Sequence, residues 1–515
     1  MRLLLSILAS FVGSVAVAAP SYDLVFTRSD GLSGSGMALE RWVERAAWHG
    51  VELAPDATVV AWAAGTRAGL TQAAVEARLE RQLVTLLREL PARPRTTAVL
   101  ADPKYGLYLS PDVTWRETRA PEPSPEVIIA AKQAALDGQL DSYLGALLPT
   151  HPQYQKLVAA AERYAAMCQA GGWKALALPK PYLAKQGPPA DVVRAFQERL
   201  AAEGYYHGEL DGQLDALTVA ALKAYREQRQ LKDKGLDDAK LVESLNVTCA
   251  ERVAQLGLNA LRWRVSAWTP AVATWVEVNL AGQELRYYRD GALVMKQRTV
   301  VGSDAFFYFK PLNGKKIFNY ASPVISDAIS RVVVNPEWAV PARIAINEIN
   351  KAIDKDPDYL AKHNFRTVTN KKGQSTFIQS SGNGNALGQI KILFPNSEAV
   401  YLHDTPKRVV FGYPRRALSH GCVRVQNAVD FGMALLKADA DQDGRAFDED
   451  ALRARIGRTG PLNNDLVHPV PVFWEYYTAS VDEDGNVRFH PDIYAYDEET
   501  AALTRAAQRA ARSEP

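Results

Sequence analysis

The stretch TWVEVNLAGQELRYYRDGALVMKQRTVVG, residues 274 to 302, alternates apolar and polar side chains. That is the period of a half-buried β-strand, not of a helix. Arg289-Asp290-Gly291 interrupts it where a hairpin turn belongs. A β-rich domain therefore starts near residue 273. Downstream, ISRVVVNPEWAVP (329–341) reads as a strand followed by a Pro-bounded turn, and GQIKILF (388–394), AVYLH (399–403) and RVVF (408–411) as short strands. Between 342 and 378 the pattern turns helical and polar (ARIAINEINKAIDKDPDYLAKHN) and then loops through TNKKGQS. An insertion of this kind in a β domain often forms a lid. VPVFWEYYTASVDEDGNVRFHPDIY (470–494) is a last hairpin, so 273–440 reads as the main domain and 441–515 as a hairpin and tail packed on it.

Upstream of 273 the period is helical. GMALERWVERAAWHGVEL (36–53), TQAAVEARLERQLVTLLREL (71–90), PEVIIAAKQAALDGQLDSYLGALLP (125–149) and YQKLVAAAERYAAMCQAGGW (154–173) make a helical scaffold over 19–189, completed by about 247–272. His49 and His151, at helix ends, read as surface or capping residues. Residues 190–246 form a separate small bundle. Val192, Val193, Phe196 and Leu200 share a helical face, Gly204 stops that helix, Thr218 can cap a second and Asp237 or Asp238 a third. Phe196-Gln197, Gly204-Tyr205, Leu210-Asp211-Gly212, Thr218 and Ala221 resemble the peptidoglycan-binding module of cell-wall enzymes. Tyr225-Arg226 stands where that family has a second Phe-Gln pair, which bears on glycan binding more than on fold. The fold class expected is α+β and multidomain.

The N-terminus has Arg2, an apolar run from Leu3 to Val17 and the small-x-small site Ala16-Val17-Ala18. This is a secretory signal peptide over 1–18, and no later segment is apolar enough to span a bilayer. With 47% hydrophobic residues the chain can build real cores, and a net charge of +2 argues against nucleic acid as the main partner. Export matters for the three cysteines, because thiols pair in an oxidising compartment. Cys168 and Cys249 bracket the 190–246 bundle and would meet if it were inserted into the helical domain. That leaves Cys422 as an odd, suspect thiol.

Cys422 lies in RALSHGCVRVQNA, residues 416 to 428. A nucleophilic cysteine needs a base, a thiolate-favouring setting and oxyanion donors. Gly421 allows a tight turn that exposes the N–H groups of Gly421 and Cys422. The helix read in AVDFGMALL would bring its N-terminus near the sulfur. His403, from another strand, is the geometrically easier base, and His420 would support the loop by a hydrogen bond. A cysteine with His403 and His420 is also a meagre zinc set, but a metal-bound thiolate is a poorer nucleophile. DADQDGRAFDED (439–450) has the carboxylate spacing of a calcium loop, without the usual Glu at its twelfth position, and reads as a solvated acidic turn.

His403, a gap of fifteen residues and then Ser419-His420-Gly421-Cys422-Val423-Arg424 resemble the signature of the L,D-transpeptidase catalytic domain. VVVNPEWAVP (332–341), NALGQIKILFPN (385–396) and AVYLHDTP (399–406) agree with it. Together with the helical scaffold and the wall-binding module, the likeness is to the large periplasmic L,D-transpeptidases of Gram-negative bacteria. Arg424 replaces the Asn of many smaller members, and Ser322-Pro323 stands where Thr-Pro is common. The resemblance implies a cofactor-free two-step acyl transfer that joins peptidoglycan stem peptides by 3→3 cross-links. Cys422 is then nucleophile and His403 general acid/base, with Gly421 an oxyanion donor. Arg424, Ser419 and Tyr401 are the candidate substrate contacts, and Arg424 fits either a substrate carboxylate or the protein's own carbonyls. The implied partners are stem peptides and glycan strands, with other wall-synthesis enzymes allowed, and the implied place is the periplasm. Water or a protein lysine as acceptor, or a non-catalytic wall-binding scaffold, are the competing readings.

Overall fold

The computed structural model describes residues 24–92, 121–177, 187–269, 271–309, 315–318, 320–369, 373, 375–458 and 460–498. The segment 1–18, read as a signal peptide, and the chain's last residues lie outside them. Two compact units emerge. The smaller comprises residues up to 44, 53–88 and 122–146, and the larger most of the rest.

The smaller unit is helical, with helices Gly34–Arg45, Ala57–Ala63, Gln72–Glu89, Pro125–Leu136 and Leu140–Ala146. Its anchor is the buried Glu76 carboxylate, which accepts hydrogen bonds from the backbone of Val25 and Phe26 and from the Thr27 hydroxyl. These donors match the acceptor capacity of a buried carboxylate.

In the larger unit, helices Pro152–Gln169 and Cys249–Arg264 pack together around Leu157, Ala160, Leu256 and Ala260. Cys168 and Cys249 are disulfide-bonded, with Cα atoms 5.7 Å apart. Both ends of the intervening segment thus return to one place. His151 caps its helix, accepting from the Gln153 N–H, and stacks on Trp263. His49 is not a surface residue: it is buried, with Nδ1 2.7 Å from the Tyr154 hydroxyl.

The inserted bundle has helices Ala190–Ala202, Ala216–Gln228 and Ala239–Leu245 around Phe196, Leu200, Leu222, Tyr225 and Leu241. The second helix is capped by Asp215, whose carboxylate accepts from the Thr218 N–H, and not by Thr218 as expected. The Thr218 hydroxyl instead accepts from the fully buried Gln197 amide, which also donates to Tyr206 and Asp211. Gly212 has φ +78°, and a Cβ there would strike the Ala190 carbonyl.

The β domain has nine principal strands: β1 Trp275–Asn279, β2 Glu284–Arg289, β3 Ala292–Gly302, β4 Ile325–Val334, β5 Ile390–Leu393, β6 Leu402–His403, β7 Ala417–Ser419, β8 Val423–Val425 and β9 Leu462–Glu475. Their order is β7-β3-β8-β6-β5-β4-β9-β1-β2, and the long β3 also pairs with β2, closing the sheet on itself. The β2–β3 turn has Asp290 and Gly291 both at positive φ, as a two-residue hairpin turn requires. Its core holds Val276, Val278, Val332, Ile390, Leu402, Val423 and Phe431. Leu402 faces Val423 in the parallel β6–β8 ladder, and both enter this core. Because side chains alternate, His403 and Arg424, the next register pair, lie together on the other face. The 342–378 insertion is only half helical: Phe365–Thr369 and Ser375–Gln379 pair with each other, and the latter with Trp338–Ala339. FRTVT alternates too weakly to show as a strand against its polar flanks.

Candidate active site

The β7–β8 turn carries Ser419, His420, Gly421 and Cys422. Gly421 sits at φ +115°, a conformation that favours glycine. Its N–H donates to the Ser419 hydroxyl at 3.2 Å, which takes it out of service as an oxyanion donor. The Ser419 hydroxyl in turn donates to the Cys422 carbonyl. Ser419 is buried and fully engaged inside its own turn, so it holds the loop and does not face a substrate. The Gly421 carbonyl accepts from the Ser322 hydroxyl at 2.7 Å. Ser322 is itself fixed: its hydroxyl accepts from the Gly302 N–H, and its own N–H donates to the Tyr494 hydroxyl, which donates to the Gly302 carbonyl. In a trans peptide the N–H points opposite the carbonyl. Ser322 therefore aims the Cys422 N–H away from the core, where nothing among the described residues accepts it. Sequence reading noted Ser322 only as a departure from Thr, since a partner 99 residues away from Gly421 leaves no local signal.

His403 Nδ1 lies 2.6 Å from the Asp404 carbonyl oxygen. A carbonyl only accepts, so Nδ1 carries the hydrogen and Nε2 is the bare acceptor of the neutral ring. Burial, and then the Arg424 and Lys391 charges, push His403 down to about 3, against the pull of the Asp404 hydrogen bond. Cys422 is half-buried. Burial raises its thiol above the ordinary value, while the Tyr401 N–H, Lys391, the Tyr401 hydroxyl and Arg424 pull the other way. The resting pair is thus a neutral thiol and a neutral imidazole, not an ion pair. β8 intervenes between the cysteine and the helix expected after it, Ala428–Gln442, which starts only after Asn427. At about 3.3 Å per strand residue its first residue is at most roughly 20 Å along the chain from the cysteine.

Tyr401 shares the outer face with His403, their rings 5.6 Å apart. Its hydroxyl lies beside the Cys422 sulfur and the Trp338 indole, which act on it in opposite senses. Lys391, opposite His403 in the β5–β6 ladder, lies 4.0 Å over the Tyr401 ring. Neither Lys391 nor Arg424 has a carboxylate partner among the described residues, and Arg424 Nε is buried without any partner. The side of the thiol is thus a cationic recess lacking its anion. Lys391 was missed in the sequence because IKIL reads simply as a strand.

His420 does not bond its own loop. Its Nε2 meets Glu348 of the insertion, and its ring packs edge-on against Tyr320, which Arg343 covers from the other side. In the 439–450 segment the carboxylates are already matched: Asp439 by Arg445, Asp441 by Lys437 and Arg289, Asp443 by His468 and Arg445. Among the described residues no three His, Cys, Asp or Glu side chains converge as a metal would need.

Residues 273–432 match the family model described as "L,D-transpeptidase catalytic domain". This part of the chain is similar to L,D-transpeptidase catalytic domains. Two further models match, "Putative peptidoglycan binding domain" over 189–244 and "Scaffold domain" over 18–160. A curated protein of Haemophilus influenzae, "Putative L,D-transpeptidase", is 33% identical over 258 residues, 47% of this chain and 48% of that protein. The chain thus spans about half the length of that relative. Among solved structures, an L,D-transpeptidase from Xylanimonas cellulosilytica aligns at 16% identity over 58% of this chain and 100% of its own, with a TM-score of 0.18. One from Mycobacterium smegmatis aligns at 11% identity over 40% and 59%, with a TM-score of 0.20. These overlays are too loose for residues to be carried across. No helix among the described residues is long and apolar enough to cross a membrane.

Proposed function

We propose that this chain is an L,D-transpeptidase that forms 3→3 cross-links between peptidoglycan stem peptides through a thioester on Cys422. The observation that carries the proposal is the outer face of β6 and β8. There His403, its Nδ1–H committed to the Asp404 carbonyl, shares the face with the Cys422 sulfur and two cations that lack an anion. In acylation the sulfur attacks the carbonyl of the third stem residue, meso-diaminopimelate, as its proton passes to His403 Nε2. The Cys422 N–H holds the oxyanion. The intermediate collapses with cleavage of the C–N bond, and the His403 proton goes to the amine of departing D-alanine. The side-chain amine of a second diaminopimelate then attacks the thioester, gives its proton to His403, and expels the thiolate, which takes that proton back. Arg424 and Lys391 receive the donor stem's carboxylate. Tyr401 acts through the sulfur, supplying a hydrogen bond to the thiolate as it forms.

The chain works outside the cytoplasm, exported by residues 1–18, with the inserted bundle holding it to the wall. The test is mass spectrometry of muropeptides after incubating mature protein with tetrapeptide-rich wall. Cross-linked tripeptide–tetrapeptide dimers and free D-alanine are expected from the wild type and neither from Cys422→Ala. Tripeptides alone would make water the acceptor, and unchanged muropeptides would leave a wall-binding scaffold.

A further inference from the structure

A second cavity lies away from the thiol. It measures about 390 Å³, in the range of small-ligand sites, and opens between the inserted bundle, strands β1 to β3 and the C-terminal hairpin. Its charged rim is already spent. Arg298 pairs with Glu227 at 2.9 Å, Arg488 with Asp482 at 3.0 Å, and Glu203 with Arg199, Arg229 and Arg252. Arg416 donates to the carbonyls of Thr299, Tyr413 and Gln283. No cation is left for an anion, so a phosphate or carboxylate is a poor fit.

What is left over is neutral and hydrogen-bonding. Gln228 Oε1, Gln230 Oε1, Gln283 Nε2 and the Tyr205 hydroxyl, all on lining residues, are buried without partners. Each such orphan costs about 1–3 kcal/mol, and four around one cavity need a reason. The Glu277 carboxyl also lines it and has no hydrogen-bond or ion-pair partner among the described residues; Arg286, its register neighbour, is bonded to Glu284. Trp263 and Tyr477, on one wall, stack on each other at 4.6 Å, and His151 stacks on Trp263 as well, so both rings are buried and serve as structure.

We propose that this cavity binds an N-acetylated sugar unit of a glycan strand, shared between the bundle and the catalytic sheet. The proposal rests on the reading of the chain as a wall-binding enzyme. An acetamido group offers a carbonyl to Gln283 and an N–H to Gln228 or Gln230. Ring hydroxyls serve either sense at Tyr205 and Glu277. Burial holds Glu277 up at about 7, so near neutral pH it presents an O–H as well as an acceptor.

The test is calorimetric titration of the full mature chain with an N-acetylglucosamine tetramer, and separately with a free tetrapeptide stem. The tetramer should bind the wild type. Ala224→Trp, at an exposed helix position lining the cavity, should fill it and weaken the tetramer at least about tenfold, which is about 1.4 kcal/mol. Glu277→Gln should bind within about threefold and Glu277→Leu should lose as much as Ala224→Trp; melting curves show which variants fold. No tetramer binding by the wild type, or equal binding by Ala224→Trp, overturns the proposal. So does a wild type whose peptide binding, and not its sugar binding, is lost in Ala224→Trp. Alkylation of Cys422 in the same samples is a separate reading: its loss with sugar binding kept counts against the transferase chemistry and not against this cavity.

Discussion

Cys422 and His403 start as neutral groups, and that sets how the nucleophile responds to pH. Burial raises the thiol and lowers His403 to about 3. A preformed thiolate–imidazolium pair would give a reactivity plateau from weakly acidic pH upward. A neutral pair does not. Alkylation of Cys422 by iodoacetamide is expected to keep rising through pH 9, with no plateau near pH 6. Its measurement across pH 5–10 checks this, and a plateau below pH 7 would mean that the sulfur is already ionised. Ser322 makes the second prediction at this scale. Ser322→Ala frees the Gly421 carbonyl and loosens the Cys422 N–H, which still exists. The acylation rate should fall about ten- to a hundredfold, less than the roughly 10²–10³ that loss of an oxyanion donor costs. Ser322→Thr should restore most of it, with KM little changed throughout. The motif and its candidate base were nameable at this scale because the motif is contiguous and the base closes a readable strand. The roles of Ser419 and Gly421 were not, because a hydroxyl's partner is set by turn geometry that a residue name does not carry.

Elements tell a different story. The strand period at 274–302 and the Asp290-Gly291 turn were readable, since a pleated surface with one buried face prints its alternation on the sequence. The insertion was harder. Its strand Phe365–Thr369 is exposed on both sides beyond Phe365, and Ser375–Gln379 runs from exposed through half-buried to buried, so no alternation marks either. Nor could its link to the nucleophile's turn be seen, as Glu348 and His420 are 72 residues apart. That link makes His420 a tie between turn and insertion. His420→Ala and Glu348→Ala should each slow acylation by about tenfold or less, and the double variant should be no worse than either single one. His403→Ala should lose about 10²- to 10⁴-fold, the usual range for a general base. Single-turnover acylation rates check all four; additive losses at 348 and 420 would separate the two residues' roles.

At the scale of the whole molecule, buried titratable groups decide acid tolerance. Within the larger unit, burial lowers His49, His151, His403 and His490 to about 3 each. Unfolded, they take up protons near 6.5, so the unfolded state binds more protons below that pH and folding weakens as pH falls from 6.5 towards 3. Glu277 and Asp492 oppose this, because burial raises both, Glu277 to about 7. They bind protons in the folded state first, which adds stability as pH falls from 7 until their unfolded values near 4 are passed. Four groups outweigh two. The melting temperature is expected to drop below pH 6.5 and to drop more steeply below about 4.5, where each net proton is worth about 1.4 kcal/mol per pH unit. Thermal melts from pH 3.5 to 8 check it; a maximum near pH 4.5 would refute the sign. The change from helical to strand period near residue 273 was visible at this scale because each part prints its own period on the sequence. The cavity between the bundle and the sheet was not, since its walls come from segments up to 337 residues apart (Gln153 to His490).

The central claim is that Cys422 carries the donor stem as a thioester. It is tested most directly by acid-quenching the mature protein during reaction with a disaccharide-tetrapeptide and mapping the peptides by mass. The peptide containing Cys422 should carry a disaccharide-tripeptide, with D-alanine released in equal amount. A donor adduct elsewhere, an adduct that still retains D-alanine, or turnover with Cys422 never modified would contradict it.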